Sequence, residues 1–263
     1  MKKVIDAKDL KYRELNSNIR LVLGQSHFSD KKIEGRVEIT LNNVLGHRYI
    51  GDGLKEDHLI NINGIPGNDL AAFMDGPTIE VFDNGQDGIG NTMNAGKVII
   101  HGDVGDIIGY SMRGGEIYIE KNVGFRCGIH MKSYQEKIPV IVIGGSAGNF
   151  LGEYMAGGII ILLGLYRQEL AYFPYWGTER LVGDYIGTGM HGGVIYIRGD
   201  VASHKLGKEV KIVQIDKEDE KILNKYIDNY CQYFDTDKGD IKTDQFIKLI
   251  PFSHRPYGRL YTY

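Results

Sequence analysis

Lys97-Val98-Ile99-Ile100, Gly102-Asp103-Val104-Gly105-Asp106-Ile107-Ile108-Gly109 and Gly114-Gly115-Glu116-Ile117-Tyr118-Ile119 follow one another along this chain and contain one full period of a repeat. Outward from this stretch the same signature returns. Gly90, Gly109 and Gly128 are 19 residues apart, and Gly105 and Gly124 repeat the step. Gly148 and Gly152 resume it after one insertion, and Gly183 and Gly187 after a longer one. Glycine pairs ending in Gly115, Gly158 and Gly193 precede the β-branched runs. Self-similarity at this spacing marks a stacked array.

Aligning the runs gives two aliphatic positions per unit: Ile39/Leu41, Ile60/Ile62, Ile79/Val81, Val98/Ile100, Ile117/Ile119, Ile141/Ile143, Ile160/Leu162 and Ile195/Ile197. The steps are 21, 19, 19, 19, 24, 19 and 35 residues, so eight units are expected. A unit of this length, rich in glycine and isoleucine, has no room for two helices. Each unit alternates apolar and polar over four or five residues, the pattern of a half-buried strand. The reading is an all-β protein, a parallel β-helix of about eight coils of ~19 residues stacked roughly 4.8 Å apart. Its aliphatic pairs form columns, each buried side chain contributing about 1.5–3 kcal/mol. Gly90, Gly105, Gly109, Gly115, Gly124, Gly128, Gly148, Gly152, Gly158, Gly183, Gly187 and Gly193 are read as structural corner glycines.

A β-helix exposes strand edges at its ends, which invite aggregation unless covered. Residues 1–35 read as an N-terminal helical cap, with Leu15, Ile19, Val22 and Leu23 at helical spacing between Asp9 and Leu23. Residues 36–201 read as the β-helix. Residues 202–263 read as a C-terminal helix, Lys217 to Phe234, a last strand, Phe246 to Leu249, and an aromatic tail packing on the β-helix.

A net charge of −3 disfavours a dedicated nucleic-acid binder. The two cysteines, Cys127 and Cys231, suit a reducing cytoplasm. The longest apolar run, Gly158 to Leu165, is too short to span a bilayer. A cytoplasmic protein that binds neither membrane nor nucleic acid is expected.

Several motifs carry weaker chemistry. Gly187-Thr188-Gly189-Met190-His191-Gly192 has G-x-G-x-x-G spacing, but a dinucleotide loop must enter a helix, whereas Val194 to Ile197 reads as a strand. Cys127-x-x-His130 is half a metal site, with only Cys231 and His191 as candidate additions. Glu56/Asp57 and Asp103/Asp106 are carboxylate pairs of the kind glycoside hydrolysis uses. Asp103, however, lies in a corner, where carboxylates accept backbone hydrogen bonds. No catalytic, cofactor-binding or metal-binding residue is expected. The insertion around residues 165–182 is dense in aromatics. Tyr172, Phe173, Tyr175 and Trp176 mark either a partner surface or a flap over the chain's own coil.

The runs Gly102 to Gly109 with Gly114-Gly115-Glu116-Ile117, and Gly144 to Gly152 with Gly157-Gly158, resemble the repeats of the C-terminal GXGXG domain of the glutamate synthase large (alpha) subunit. The same repeat characterises one of the subunits of formylmethanofuran dehydrogenase. The resemblance covers roughly residues 36 to 201 and implies a right-handed β-helix in a stand-alone form. It further implies a non-catalytic scaffold subunit of a glutamate synthase-type complex, in which glutamine amide is transferred reductively to 2-oxoglutarate. The amidotransferase and the FMN and iron–sulfur synthase functions would then belong to partner subunits. No cofactor is expected in this chain, and self-association stays open. Two alternatives stand beside this reading: a structural subunit of a formylmethanofuran dehydrogenase-like complex, and a self-contained carbohydrate-active β-helix enzyme.

Overall fold

The computed structural model describes residues 1–25, 35–166 and 181–253. The β-branched runs form strands β2 (Glu38–Leu45), β3 (Leu59–Ile65), β4 (Asp75–Val81), β5 (Ala95–Ile100), β6 (Glu116–Ile119), β7 (Val140–Ile143), β8 (Ala156–Leu162) and β9 (Gly192–Arg198). Ahead of them lie β1 (Lys2–Asp6) and the helix α1 (Tyr12–Val22). After them come β10 (Val210–Val213), the helix α2 (Lys217–Phe234) and β11 (Phe246–Pro251). The sheet order is β1 through β9 in sequence, then β11 and β10. Strands β1 to β9 pair in parallel, while β11 pairs antiparallel with both β9 and β10.

The register follows the aliphatic pairs. Ile39, Ile60, Ile79, Val98, Ile117, Ile141, Ile160 and Ile195 are successive partners in one line. Leu41, Ile62, Val81, Ile100, Ile119, Ile143, Leu162 and Ile197 form a second, and all sixteen side chains are fully buried. A slip of one residue would turn every isoleucine outward, so the interior enforces this alignment. The solenoid makes about six turns, fewer than the eight units counted in the sequence. Eight strands are joined by seven passages, and the one from β8 to β9 runs through residues 167–180, outside the described part.

Each passage between strands adds two more inward positions. One holds Ile50, Leu70, Ile89, Ile108, Cys127, Leu151 and Ile186; the other holds Leu54, Met74, Met93, Met112, Met131, Met155 and Met190. Backbone bonds lock these positions layer to layer: Arg113 N–H donates to the Met93 carbonyl and Lys132 N–H to that of Met112, at 2.8 and 3.0 Å. Six of the seven methionines therefore line one corner of the column. Unbranched and polarisable, methionine fills the irregular gap where the coil turns back towards its strand.

The ends are closed differently. Helix α1 and the Leu23 that caps its end place Leu15, Ile19 and Leu23 in the same core cluster as Ile39, Ile50 and Leu54. Arg20 donates to the Asp52 carbonyl and Asn16 to that of Arg48, tying the helix to the first turn. The segment expected as a helical cap also supplies β1 ahead of its helix, which extends the sheet by one strand. At the far end Val201, Val210 and Leu249 complete the column.

Helix α2 lies outside the column, where its Leu223, Tyr226, Ile227 and Tyr230 bury the outer residues Tyr118, Val142, Ile161 and Tyr196. The sequence explains this seat. Strands β6 to β9 are apolar on both faces, whereas the outer positions of β2 to β4 are Thr40, Asn61 and Glu80, and these remain part-exposed.

Candidate functional site

The corners carry ladders of polar side chains and a run of rings, and their geometry repeats from layer to layer. The twelve corner glycines fall into three columns. Gly90, Gly109, Gly128, Gly152 and Gly187 sit beneath the aliphatic side chain of a later layer. A Cβ at Gly109 or Gly128 would stand 2.5 Å from Ile141 or Ile160, and one at Gly152 or Gly187 would stand 2.6 Å from Ile195 or Val210. Gly105, Gly124 and Gly183 lie against Asp87, Asp106 and Asn149 of the preceding layer, and Gly148 against the Gly124 carbonyl. Gly115, Gly158 and Gly193 open their strands against the methyl ends of Met93, Met131 and Met155.

Between these glycines run ladders of short polar side chains. Asn84 Oδ1 accepts from Asp103 N–H (2.8 Å), Asp103 Oδ1 from Asn122 N–H (3.0 Å), and Asn122 Oδ1 from Ser146 N–H (2.8 Å). In a second ladder Asp87 accepts from Asp106 N–H and Asp106 from Phe125 N–H, at 2.9 and 2.7 Å. Asp103 and Asp106 thus hold one coil on the next. Glu56 and Asp57 lie just before β3, with Asp57 3.4 Å from Arg36 and Glu56 3.9 Å from His58. His58 is buried, and its Nδ1 accepts from Val37 N–H at 3.3 Å. Burial holds its pKa below the ordinary histidine value, against the pull of Glu56.

Cys127 and His130 do not converge. Cys127 takes an inward position between Ile108 and Leu151, and burial pushes its thiol pKa far up. His130 is exposed on the outside of the corner. Cys231 lies on α2, part-exposed. Among the described residues no three His, Cys, Asp or Glu side chains gather as a metal site would require. Gly187 to Gly192 forms a corner that leads directly into β9, so the pyrophosphate-binding helix end is missing from that position. Tyr172, Phe173, Tyr175 and Trp176 lie outside the described residues.

One surface feature was not read from the sequence: a run of rings along the outside of the corners. His130 stacks on Tyr154 at 5.2 Å and meets Tyr110 edge-on at 6.0 Å. Phe150 stacks on Tyr185 at 4.9 Å, and the Arg126 guanidinium lies 4.6 Å over Phe150 while pairing with Glu153. Ile107, Arg126, Phe150 and Tyr185 all have positive φ, as do Ser111, His130 and Tyr154. Unrelated residue types share this conformation, so the coil imposes it. Their spacing of 19, 24 and 35 residues follows the inward column and was the available signal. It is easily missed because strand periodicity does not extend into corners.

Among the described residues no helix is long and apolar enough to cross a membrane. The family model for the GXGXG motif matches residues 25–252. An uncharacterized protein of Methanocaldococcus jannaschii is 46% identical over 265 residues, covering 98% of this chain and 96% of that protein. The chain belongs to the GXGXG motif family, that of the C-terminal domain of the glutamate synthase alpha subunit.

Proposed function

We propose that this protein is a non-catalytic scaffold subunit of a glutamate synthase-type complex, working in the cytoplasm in a stand-alone form of the GXGXG domain. The observation that carries the reading is the unbroken register of the aliphatic lines from β2 to β9, doubled by the methionine line at the corner. A column whose layers are joined by backbone bonds and filled with interlocking side chains resists bending. Such a body can hold two attached proteins at constant separation. In a complex that releases ammonia at one site and consumes it at another, that separation governs transfer. The amidotransferase would belong to one partner, and the FMN and iron–sulfur clusters to another. The exposed rings of Tyr110, Phe125 and Tyr185 offer the aromatic surface that protein interfaces favour.

The test is purification of the native, untagged chain under mild conditions. The expected result is co-elution with an amidotransferase and a flavoprotein, and glutamine-dependent glutamate formation that falls when this subunit is omitted. Co-elution with molybdopterin subunits, or elution without either partner at every step, would overturn the reading. Glutamine hydrolysis or polysaccharide cleavage by the isolated chain would do the same.

A further inference from the structure

The sheet is open at β1. This strand pairs with β2 on one side and, among the described residues, with no strand on the other. Met1 accepts from Glu38 N–H, and Ala7 N–H donates to the Asn42 carbonyl, both at 2.8 Å. Because the direction of backbone groups alternates, Met1, Lys3, Ile5 and Ala7 face β2. The N–H and C=O groups of Lys2, Val4 and Asp6 therefore point to the free edge. The layer around this edge is unusually apolar for a surface. Leu45 (77%), Val4 (69%), Leu21 (60%) and Met1 (58%) are four of the five most exposed large apolar side chains among the described residues.

We propose that two copies of this chain join end to end by antiparallel pairing of β1 with β1 about a two-fold axis at Val4. In this register the sequence Lys2-Lys3-Val4-Ile5-Asp6 is complementary to itself. Lys2 stands opposite Asp6 of the second copy, Val4 opposite Val4, and Asp6 opposite Lys2. All three are pairs whose backbone groups face each other, so each exchanges two hydrogen bonds. Lys2, Val4 and Asp6 also share the outer face of the strand, because Ile5 on the other face packs on the core. Both ion pairs thus form on one side, flanking a valine contact. Lys2 is free to reach across, since its pairing with Glu38 is made at an exposed site, 81% open at the lysine. Asp6 accepts from Asn43 and from Lys8 N–H, both through Oδ1, which leaves Oδ2 to accept from the lysine. Lysine usually protects an edge strand from pairing; here an aspartate four residues away converts that protection into selection of one register. The isologous geometry closes the assembly at two copies and covers both free edges at once.

The experiment is light scattering coupled to size exclusion on the full chain, with three variants. The wild type is expected at twice the mass of one chain. Val4→Pro removes an outward N–H without breaking a bond to β2, and is expected to run as a monomer with an unchanged circular dichroism spectrum. Lys2→Glu and Asp6→Lys each place like charges opposite one another twice, and each alone is expected to weaken association by on the order of tenfold or more. Mixed in equal amounts, those two variants have every pair complementary, so they are expected to form a heterodimer. A wild type that stays monomeric at its highest soluble concentration overturns the proposal. So does a dimer that survives both charge variants, or a mixture that fails to associate. Should the proline variant not fold, the charge pair decides by itself.

Discussion

The hydroxyl of Tyr196 in β9 donates a 2.6 Å hydrogen bond to the buried carboxylate of Asp219 in the first turn of α2. Lys248 in β11 approaches the same carboxylate at 2.7 Å, and Asp216 N–H donates to it at 2.9 Å within the helix cap. One side chain thus joins the last parallel strand, the antiparallel closure and the outer helix. Removing it leaves the buried Tyr196 hydroxyl without its partner and the part-buried Lys248 ammonium with only the Asp216 carboxylate, 4.0 Å away. Asp219→Ala is expected to cost about 3 kcal/mol, read from urea unfolding. Hydrogen exchange should show the amides of α2 losing protection before those of the sheet. Equal loss in both would mean that the helix is not held through this contact.

The same carboxylate gives stability a pH dependence. Burial alone would raise its pKa, but the hydrogen bonds from Lys248, Tyr196 and Asp216 outweigh it and hold the value below that of a free aspartate. In the unfolded chain the group titrates near pH 3.9, as a reference aspartate does at about that value. Its contribution is therefore complete above that pH and disappears as the pH falls through the lower folded value. Acid unfolding of Asp219→Asn should be flatter over that window than that of the wild type. An unchanged slope would assign the dependence to other carboxylates.

The methionine column makes two contrasting demands. Met112 is fully buried between Met93 and Met131. Met112→Ala is expected to cost about 2–5 kcal/mol, whereas Met112→Leu should cost less than about 1.5. Mild peroxide should oxidise the exposed Met1 while the six column methionines survive until unfolding. Peptide mass spectrometry after timed exposure would show early sulfoxide at Met112 if the column breathed.

At Gly109 two constraints meet. Its φ is +68°, and a Cβ would stand 2.5 Å from Ile141 Cδ1 two strands further along. Gly109→Val is expected to destabilise by roughly 2–5 kcal/mol, from left-handed strain and overpacking together. Thermal melts would check it; a loss below about 1 kcal/mol would mean that the layers can separate locally.

The thiols should differ in reactivity. Cys127 is enclosed in the column, while Cys231 on α2 is part-exposed, its pKa also raised by burial. With a thiol-disulfide reagent at neutral pH, Cys231 should react slowly and Cys127 only on unfolding. Prompt reaction of both would contradict a closed interior.

The strands were legible because their cause is local. Two aliphatics at i and i+2, repeated every 19 residues, can be buried only by stacking on copies of themselves. Asp103 was legible for a similar reason: a carboxylate at a repeated corner finds the next corner's N–H. The helix Lys217–Phe234 could be read from its acidic first turn and its apolar face. Strand β1 was missed, since Lys2-Lys3-Val4-Ile5-Asp6 has no counterpart at the repeat spacing and gains its structure only from β2. The methionine column was missed because it lies outside the strands, where neither β-propensity nor period-2 alternation gives a signal.

The amino-acid order settles the unit of this fold, its spacing and the direction in which each isoleucine points, because a repeated layer needs nothing but its neighbours to be satisfied. It leaves open where the unrepeated parts attach. The seat of α2 on β6 to β9, the joining of Asp219 to Tyr196 and Lys248, and the placement of β1 at the open edge are contacts between segments with no shared period. Such contacts depend on which faces remain uncovered after the column has formed, and only the assembled three-dimensional surface specifies that.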